Sequence, residues 1–348
     1  MEKESRNPSR SSWAALVLIA VSSIPTLCAP GSMSASVTAV KQPPRGIYVA
    51  LRVNDPELSD ESCWNDSNIK GALLRARWGD IEKVQGTYDW DFFDRGIALA
   101  GAHDKKVMLS ISCGTEAPAW IYEQGAAKWS TTGKWHGTQT QPAPWDQAFQ
   151  RQLGKLIAAF GARYDASAVV AGVTLWCGGR GIETFFAQKP EDAEQLDRLG
   201  GVKIWVSAAE KIIDEYAAAF PSTELYLACG ANYPDRKVSL TQVAQYALSK
   251  GHFGLQSCAL TPHFPFFNHS KNVAMFPHTT IPIPTVKSIC YQFLFPVGSA
   301  RMKDATTAAT IENGRAMGAQ CIQVYPKDVS KDPGQPSIQA FNQAVGAH

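Results

Sequence analysis

Short apolar runs alternate with longer amphipathic stretches along most of the chain. Eight of the runs, at 46–53, 71–78, 106–113, 172–177, 224–229, 254–260, 287–293 and 320–325, read as strands. Each is rich in β-branched, aromatic or other apolar residues, and most stop at Gly, Pro or polar residues. Between them the apolar positions recur every three to four residues, as on one face of a helix. Phe93, Ile97 and Ala100 mark a helix over 90–103, and Phe149, Leu153, Leu156, Ile157 and Phe160 mark one over 146–163. The same spacing predicts helices over 202–220, 241–250 and 305–317, and a short closing helix over 336–345. Strand followed by helix, repeated around eight strands, predicts an α/β protein: a parallel sheet closed into a single (β/α)8 TIM barrel over residues 40–348. The longest gaps follow the third and fourth strands, so insertions are expected there, on the carboxyl-end face where such barrels keep their sites.

The first 39 residues fit a different pattern. Lys3, Arg6 and Arg10 precede an apolar run from Trp13 to Leu27, and small residues follow up to Ala39. Basic start, short apolar middle and small-residue end predict a secretory signal peptide and linker, with cleavage expected after Val37-Thr38-Ala39. The apolar run is shorter than the roughly 20 residues of a spanning helix, so no membrane span is expected after cleavage. The expected location is secreted or periplasmic.

Composition narrows the function. Of 348 residues, 45% are hydrophobic and 18% charged, which excludes a disordered chain. Basic and acidic residues nearly balance, 33 against 31, so no nucleic-acid partner is expected. Seven of the eight cysteines lie beyond the leader, six of them in or just after apolar runs, and no CxxC pair occurs. They read as packing residues with at most one or two disulfides, and no structural zinc is expected. His263, His269 and His278 are spaced too loosely for a metal site, and the Gly-Gly-Arg-Gly run at 178–181 lacks the Lys-Ser/Thr of a phosphate loop. No metal or other cofactor is therefore expected.

The end of the second strand is the most informative stretch: Arg75-Ala-Arg-Trp78-Gly-Asp-Ile-Glu82, then Gly86, Tyr88-Asp89-Trp90 and Asp94. Glu116-Ala-Pro118-Ala-Trp120 follows the third strand, and Arg163-Tyr164-Asp165 precedes the fourth. Over roughly 71–183 this resembles the barrel glycoside hydrolases of the family 42 beta-galactosidase type. The resemblance implies a carbohydrate ligand or substrate and two carboxyl groups, one beyond the fourth strand and a Glu at the end of the seventh.

The first of these has a candidate. Glu183 is the carboxylate beyond the fourth strand and is the expected general acid, although the usual Asn-Glu pair is absent. The second has none in its usual place, because no Asp or Glu occurs from Lys250 through Lys303. Gln292 ends the seventh strand; it can bond a sugar hydroxyl but cannot form a glycosyl ester. Replacements are sought at other strand ends, in Asp80, Glu116, Asp235 or Asp328. Glu116 and Asp328 are the first choices, in an inverting arrangement whose base need only hold a water. A non-catalytic carbohydrate-binding barrel derived from such an enzyme is the alternative.

Several residues are expected to contact the sugar. Trp78, Trp120 and Trp176 sit at or just beyond strand ends, where an indole serves equally to cap the core or to stack on a sugar ring. His263, Gln292 and Tyr325 complete this set. Tyr88-Asp89-Trp90 is expected to start the next helix through an Asp cap. Arg75 and Arg77 are read as facing opposite sides of the sheet, one of them inward where it could hold a carboxylate, and Arg75 is counted with the sugar-contacting residues.

Overall fold

The structure is a computed structural model. It describes residues 40–347, apart from 56–57, 59–60, 134–136, 186, 188, 231–236, 265–266, 269–272 and 332–334. The leader expected over 1–39 lies outside the described residues.

Residues Thr38–His348 form one compact unit built on a closed barrel of eight parallel strands. The strands are β1 (Gly46–Ala50), β2 (Gly71–Arg77), β3 (Lys106–Ser112), β4 (Val170–Leu175), β5 (Glu224–Ala228), β6 (Phe253–Leu260), β7 (Ile289–Phe293) and β8 (Cys321–Val324). Each pairs with the next in sequence, and β8 closes against β1 with Gly46 opposite Cys321 and Tyr48 opposite Gln323. All eight answer to the apolar runs. Both faces of such a sheet are covered, so β1, β4, β5 and β7 are buried at every position.

The two faces bury different things. Outward residues such as Val49, Leu74, Leu109, Val173, Leu225 and Ile322 join a large apolar core with helix residues including Phe93, Leu153, Ile213 and Phe341. The inward residues Tyr48, Ala50, Leu73, Met108, Tyr226, Cys290 and Cys321 fill the barrel. Above that filling lies a polar layer. Thr174 Oγ1 donates to Gln256 Oε1 at 2.7 Å, Gln256 Nε2 to Gln323 Oε1 at 3.2 Å, and Gln323 Nε2 to Met108 Sδ at 3.2 Å.

The outer helices lie close to their expected spans: Asp91–Ala102, Gln147–Tyr164, Lys203–Ala219, Val238–Leu248, Thr307–Ala316 and Pro336–Ala344. Asp146 caps the second of these by accepting from Phe149 N at 2.9 Å. The first begins differently from expectation. Its cap position is Trp90, and Asp89 helps from one residue earlier by accepting from Asp91 N at 3.1 Å. The insertions after β3 and β4 include an antiparallel hairpin, Lys128–Gly133 with Gly137–Pro142, and a helix, Pro190–Arg198. Buried Arg180 ties the loop after β4 to this hairpin through Thr131 O, Thr131 Oγ1 and Gln139 Oε1, at 2.9–3.2 Å.

Seven cysteines, Cys63, Cys113, Cys177, Cys229, Cys258, Cys290 and Cys321, carry free thiols, and all but Cys258 are buried. The allowance for one or two disulfides is thus unused among the described residues. No described helix is long and apolar enough to cross a membrane.

Candidate active site

The residues that carry the family resemblance build the wall of the barrel. Trp78 is 0% exposed, and its indole N–H donates to Glu82 Oε2 at 2.6 Å. The other oxygen of Glu82 accepts from Gly86 N at 2.7 Å, and its carbonyl accepts from Trp120 Nε1 at 2.8 Å. Trp78 and Trp120 meet edge to face with centroids 6.1 Å apart. A second clamp joins neighbouring helices: Asp94 receives Arg163 Nε at 3.0 Å and Tyr164 Oη at 2.9 Å. Burial, then the bond to Asp94, pushes the Tyr164 phenol well above its ordinary range.

This corrects part of the expected sugar platform. Trp78 lies wholly inside the core. So does Trp176, whose N–H is spent on Gly179 O at 2.7 Å and whose ring meets Phe149 at 5.4 Å. Position at a strand end does not say which side an indole takes, and here both turn toward the helices. Trp120 alone of the three keeps partial exposure. It lines a shallow groove of about 580 Å³ with Arg77, Asp80, Lys83, Glu116 and Pro118.

The second carboxylates fare differently from expectation. Asp328 is 0% exposed, and both its oxygens accept backbone N–H groups, from Val297 at 2.7 Å and Tyr325 at 2.8 Å. It is a loop clamp with no face toward a ligand, and burial raises its carboxyl above the ordinary value despite those bonds. Glu116 stands on the rim, paired with Arg77 Nε at 3.2 Å in a half-exposed contact. Asp80 is held by Asn54 Nδ2 and lies 3.6 Å from Arg77 Nη1. Asp235 lies outside the described residues.

The mouth itself is polar and is lined from several strands. Arg75 Nη2 and Nε donate to Leu51 O at 2.7 and 3.2 Å, and its charge acts on Cys258 and Tyr325. Arg75 thus points into the mouth, but holds a backbone carbonyl there in place of the carboxylate expected for an inward arginine. The expected opposition of Arg75 and Arg77 fails because side chains two apart on a strand leave it on the same side. Arg77 differs by being the last strand residue, at the rim. Gln292 is 5% exposed and sits where the β6–β7 register shifts between Tyr291 and Phe293, an irregularity of the kind that re-aims a side chain. Its Nε2 donates to Tyr325 Oη at 3.1 Å, while its Oε1 has no hydrogen-bond partner. The hydroxyl of Ser110, on the inward face two residues after Met108, is also buried without a partner. Sequence reasoning gave Ser110 and Cys258 no part in the mouth, although the two-residue period puts them on the inward face with Met108 and Gln256.

Glu183 comes to this mouth from the loop after β4. The loop can fold so tightly because of its glycines. A side chain at Gly179 would stand 2.0 Å from Glu183 O, and one at Gly114 would stand 2.2 Å from Gly179 O. The Gly-Gly-Arg-Gly run therefore serves backbone packing. The Glu183 side chain rests on Gly230, just beyond β5, where an added Cβ would lie 2.7 Å from Glu183 Cβ. Its charge is felt at Cys258, as is that of Arg75. Arg180, three residues before Glu183, is directed to the hairpin and is buried there.

His263 is exposed in the loop after β6, with its backbone N–H on Thr261 Oγ1 at 3.3 Å. His278 packs edge-on to Phe264, and burial lowers its pKa. His269 lies outside the described residues. Among the described residues no group of three His, Cys, Asp or Glu is placed to hold a metal ion.

Residues 72–176 match the family model of the glycoside hydrolase family 42 beta-galactosidases. A sequence search of curated proteins gives no match. Among solved structures, the chain is similar to the catalytic domain of a beta-amylase from Paenibacillus polymyxa, with a TM-score of 0.54 at 11% identity over 89% of this chain and 99% of that one. It is also similar to a psychrophilic glycoside hydrolase family 10 endo-beta-1,4-xylanase, with a TM-score of 0.51 at 14% identity over 81% and 86% of the two chains. At these identities the structural likenesses speak for the fold alone. The resemblance read from the sequence is borne out, as is the closed (β/α)8 barrel.

Proposed function

We propose that the protein acts on carbohydrate at the barrel mouth and hydrolyses a glycosidic bond with Glu183 as proton donor. The observation that carries this reading is the placement of Glu183 against Gly230, within electrostatic reach of Cys258 and beyond the fourth strand of a glycosidase-like barrel. Ligand contacts are assigned to Arg75, Gln292 and Tyr325 in the mouth, with Trp120 and His263 at its edges. Glu183→Gln keeps size and polarity but removes the proton, so kcat should fall by about 10²–10⁴-fold on any glycoside turned over, with affinity and melting temperature nearly unchanged. Steady-state kinetics with a panel of aryl glycosides and polysaccharides tests this, and unchanged turnover in the variant would refute the acid assignment.

A second reading is favoured by one observation: Gln292 ends β7, and Asp328 and Glu116 are committed to other contacts. In this reading the mouth binds sugar without cleaving it, and the same panel gives binding by calorimetry with no product. Export is proposed on the leader pattern of residues 1–39. Secreted material should begin near Val40 by N-terminal sequencing, and an intact Met1 on a membrane-bound product would overturn this.

A further inference from the structure

We infer that the mouth is built for a sugar bearing a 2-acetamido group, and that this group supplies the nucleophile that the end of β7 does not. The inference rests on Glu183 being the acid, as proposed above. Its own observation is the Gln292 carboxamide: 5% exposed, fixed at one end to Tyr325 Oη at 3.1 Å and unpartnered at the other. A buried amide oxygen without a partner is costly, so the site is incomplete until a donor arrives. Gln292 projects from the same strand face as inward-facing Cys290, two residues before it, so the vacant end faces the barrel's interior. An acetamido group answers a carboxamide whichever way round the latter sits, since it carries both an N–H and a C=O.

Among the described residues the carboxylates named as second-group candidates agree. Asp328 accepts two backbone N–H groups in the core, Asp80 and Glu116 are held by Asn54 and Arg77, and Gln292 cannot ionise. A displacement that draws its nucleophile from the substrate needs no second protein carboxylate. In the first step the acetamido oxygen attacks C1, the glycosidic C1–O bond breaks, and Glu183 delivers its proton to the departing oxygen. The resulting cyclic oxazolinium ion has its N–H accepted by Gln292 Oε1. Water then adds at C1, the bond from C1 to the acetamido oxygen breaks, and the Glu183 carboxylate takes the proton of the water. Two displacements at C1 leave its configuration unchanged, so the product is retained where a water-holding base would invert it.

The test pairs 4-nitrophenyl 2-acetamido-2-deoxy-β-D-glucoside and -galactoside, with chitin oligosaccharides, against the matching 2-hydroxy sugars, on the full secreted chain. The expected result is turnover of the acetamido substrates only, with the first-formed anomer retained by NMR. Successive fluorination of the acetyl methyl should lower kcat stepwise, because it weakens the attacking oxygen. Gln292→Ala should lower kcat/KM on the acetamido substrate by about tenfold to hundredfold. Should that variant fold poorly, the fluorine series on the native protein gives the same answer. Inversion, a flat fluorine series, or no turnover of any acetamido substrate overturns the inference. Loss of turnover in Asp235→Asn equal to that in Glu183→Gln overturns it too, by identifying a second carboxylate. Turnover of 2-hydroxy sugars alone that is lost in Glu183→Gln leaves the proposed function standing and removes only this inference.

Discussion

The two ends of the barrel are both polar, and they treat their polar groups in opposite ways. At the base, where the strands begin, Lys41, Arg45, Lys70, Lys105 and Lys106 line a cavity of about 960 Å³. Lys41 Nζ donates to Ser167 O, Val170 O and Thr223 Oγ1, at 2.8–3.3 Å. Lys105 Nζ donates to Asp66 O and Ile69 O, both at 2.6 Å. Lys106 and Arg45 donate to Ala168 O and Val345 O, each at 3.1 Å. Apart from the bond to Thr223, these go to the protein's own backbone carbonyls, sewing chain segments to the underside of the sheet. At the mouth, by contrast, the Gln292 oxygen and the Ser110 hydroxyl are buried with no partner. The lesson is that volume and charge are poor guides to a site here. The base lysines and Arg45 have their hydrogen-bonding capacity met by the protein itself, whereas Gln292 and Ser110 at the mouth do not.

Four substitutions press on this distinction. The largest effect is expected from an aromatic residue near the mouth that belongs to the wall. Trp78→Ala should cost about 3–5 kcal/mol of stability, as large-to-small core changes do. Urea unfolding measures it, and a stable variant with weakened sugar binding would return Trp78 to the ligand face. Next comes Glu224, buried at the start of β5, whose carboxyl is raised from 4.5 to about 7, chiefly by burial. The folded state then binds more protons than the unfolded state between those values. Stability from this group is present below pH 4.5 and is lost as pH rises through about 7, by about 3 kcal/mol. Glu224→Gln should flatten that part of the stability profile, and an unchanged slope would show that another group sets it.

Smaller effects should sort cleanly by end. Lys105→Met leaves two carbonyls at the base without their donor, and should cost about 1–3 kcal/mol in denaturant unfolding while leaving turnover alone. A change in kcat with no change in stability would break the division between the ends. Trp120→Ala, at the half-open rim, should weaken ligand binding by about 0.5–1.5 kcal/mol in calorimetry. Equal affinity with only a lower melting temperature would make Trp120 wall as well.

The barrel was legible because its strands are buried on both faces, which leaves apolar runs that no other element would need. The hairpin was not. Its strands, Lys-Trp-Ser-Thr-Thr-Gly and Gly-Thr-Gln-Thr-Gln-Pro, carry little apolar alternation, and they are fastened by buried Trp129 and by Arg180 from a distant loop. The helix Pro190–Arg198 is nearly all polar, although Pro190 at its start and Glu191 and Asp192 in its first turn were signals available in the sequence. Site residues divide the same way. Glu183 and Gln292 could be found because their strand ends were found. Trp78, Trp176 and Asp328 were misread because strand-end position fixes height in the barrel but not the partner: Glu82, Gly179 O and the N–H groups of Val297 and Tyr325 took them. The stretch that matches the family model stops at residue 176, seven residues before Glu183. Its characteristic residues Trp78, Glu82, Asp94 and Tyr164 serve the scaffold, so the match carries the architecture and stays silent on the chemistry.

The free thiols turn the barrel into an instrument for timing its own opening. Six consecutive staves carry one each, in Cys113, Cys177, Cys229, Cys258, Cys290 and Cys321, within the strand or one to two residues past it. Burial disfavours the thiolate at Cys113, Cys177, Cys229, Cys258 and Cys290, and it is the thiolate that an alkylating reagent attacks. Each label must wait until its stave parts from its neighbours. Peptide mass spectra taken along an alkylation time course would therefore read the barrel stave by stave. They would distinguish a cylinder that springs apart at once from one that unzips along a seam.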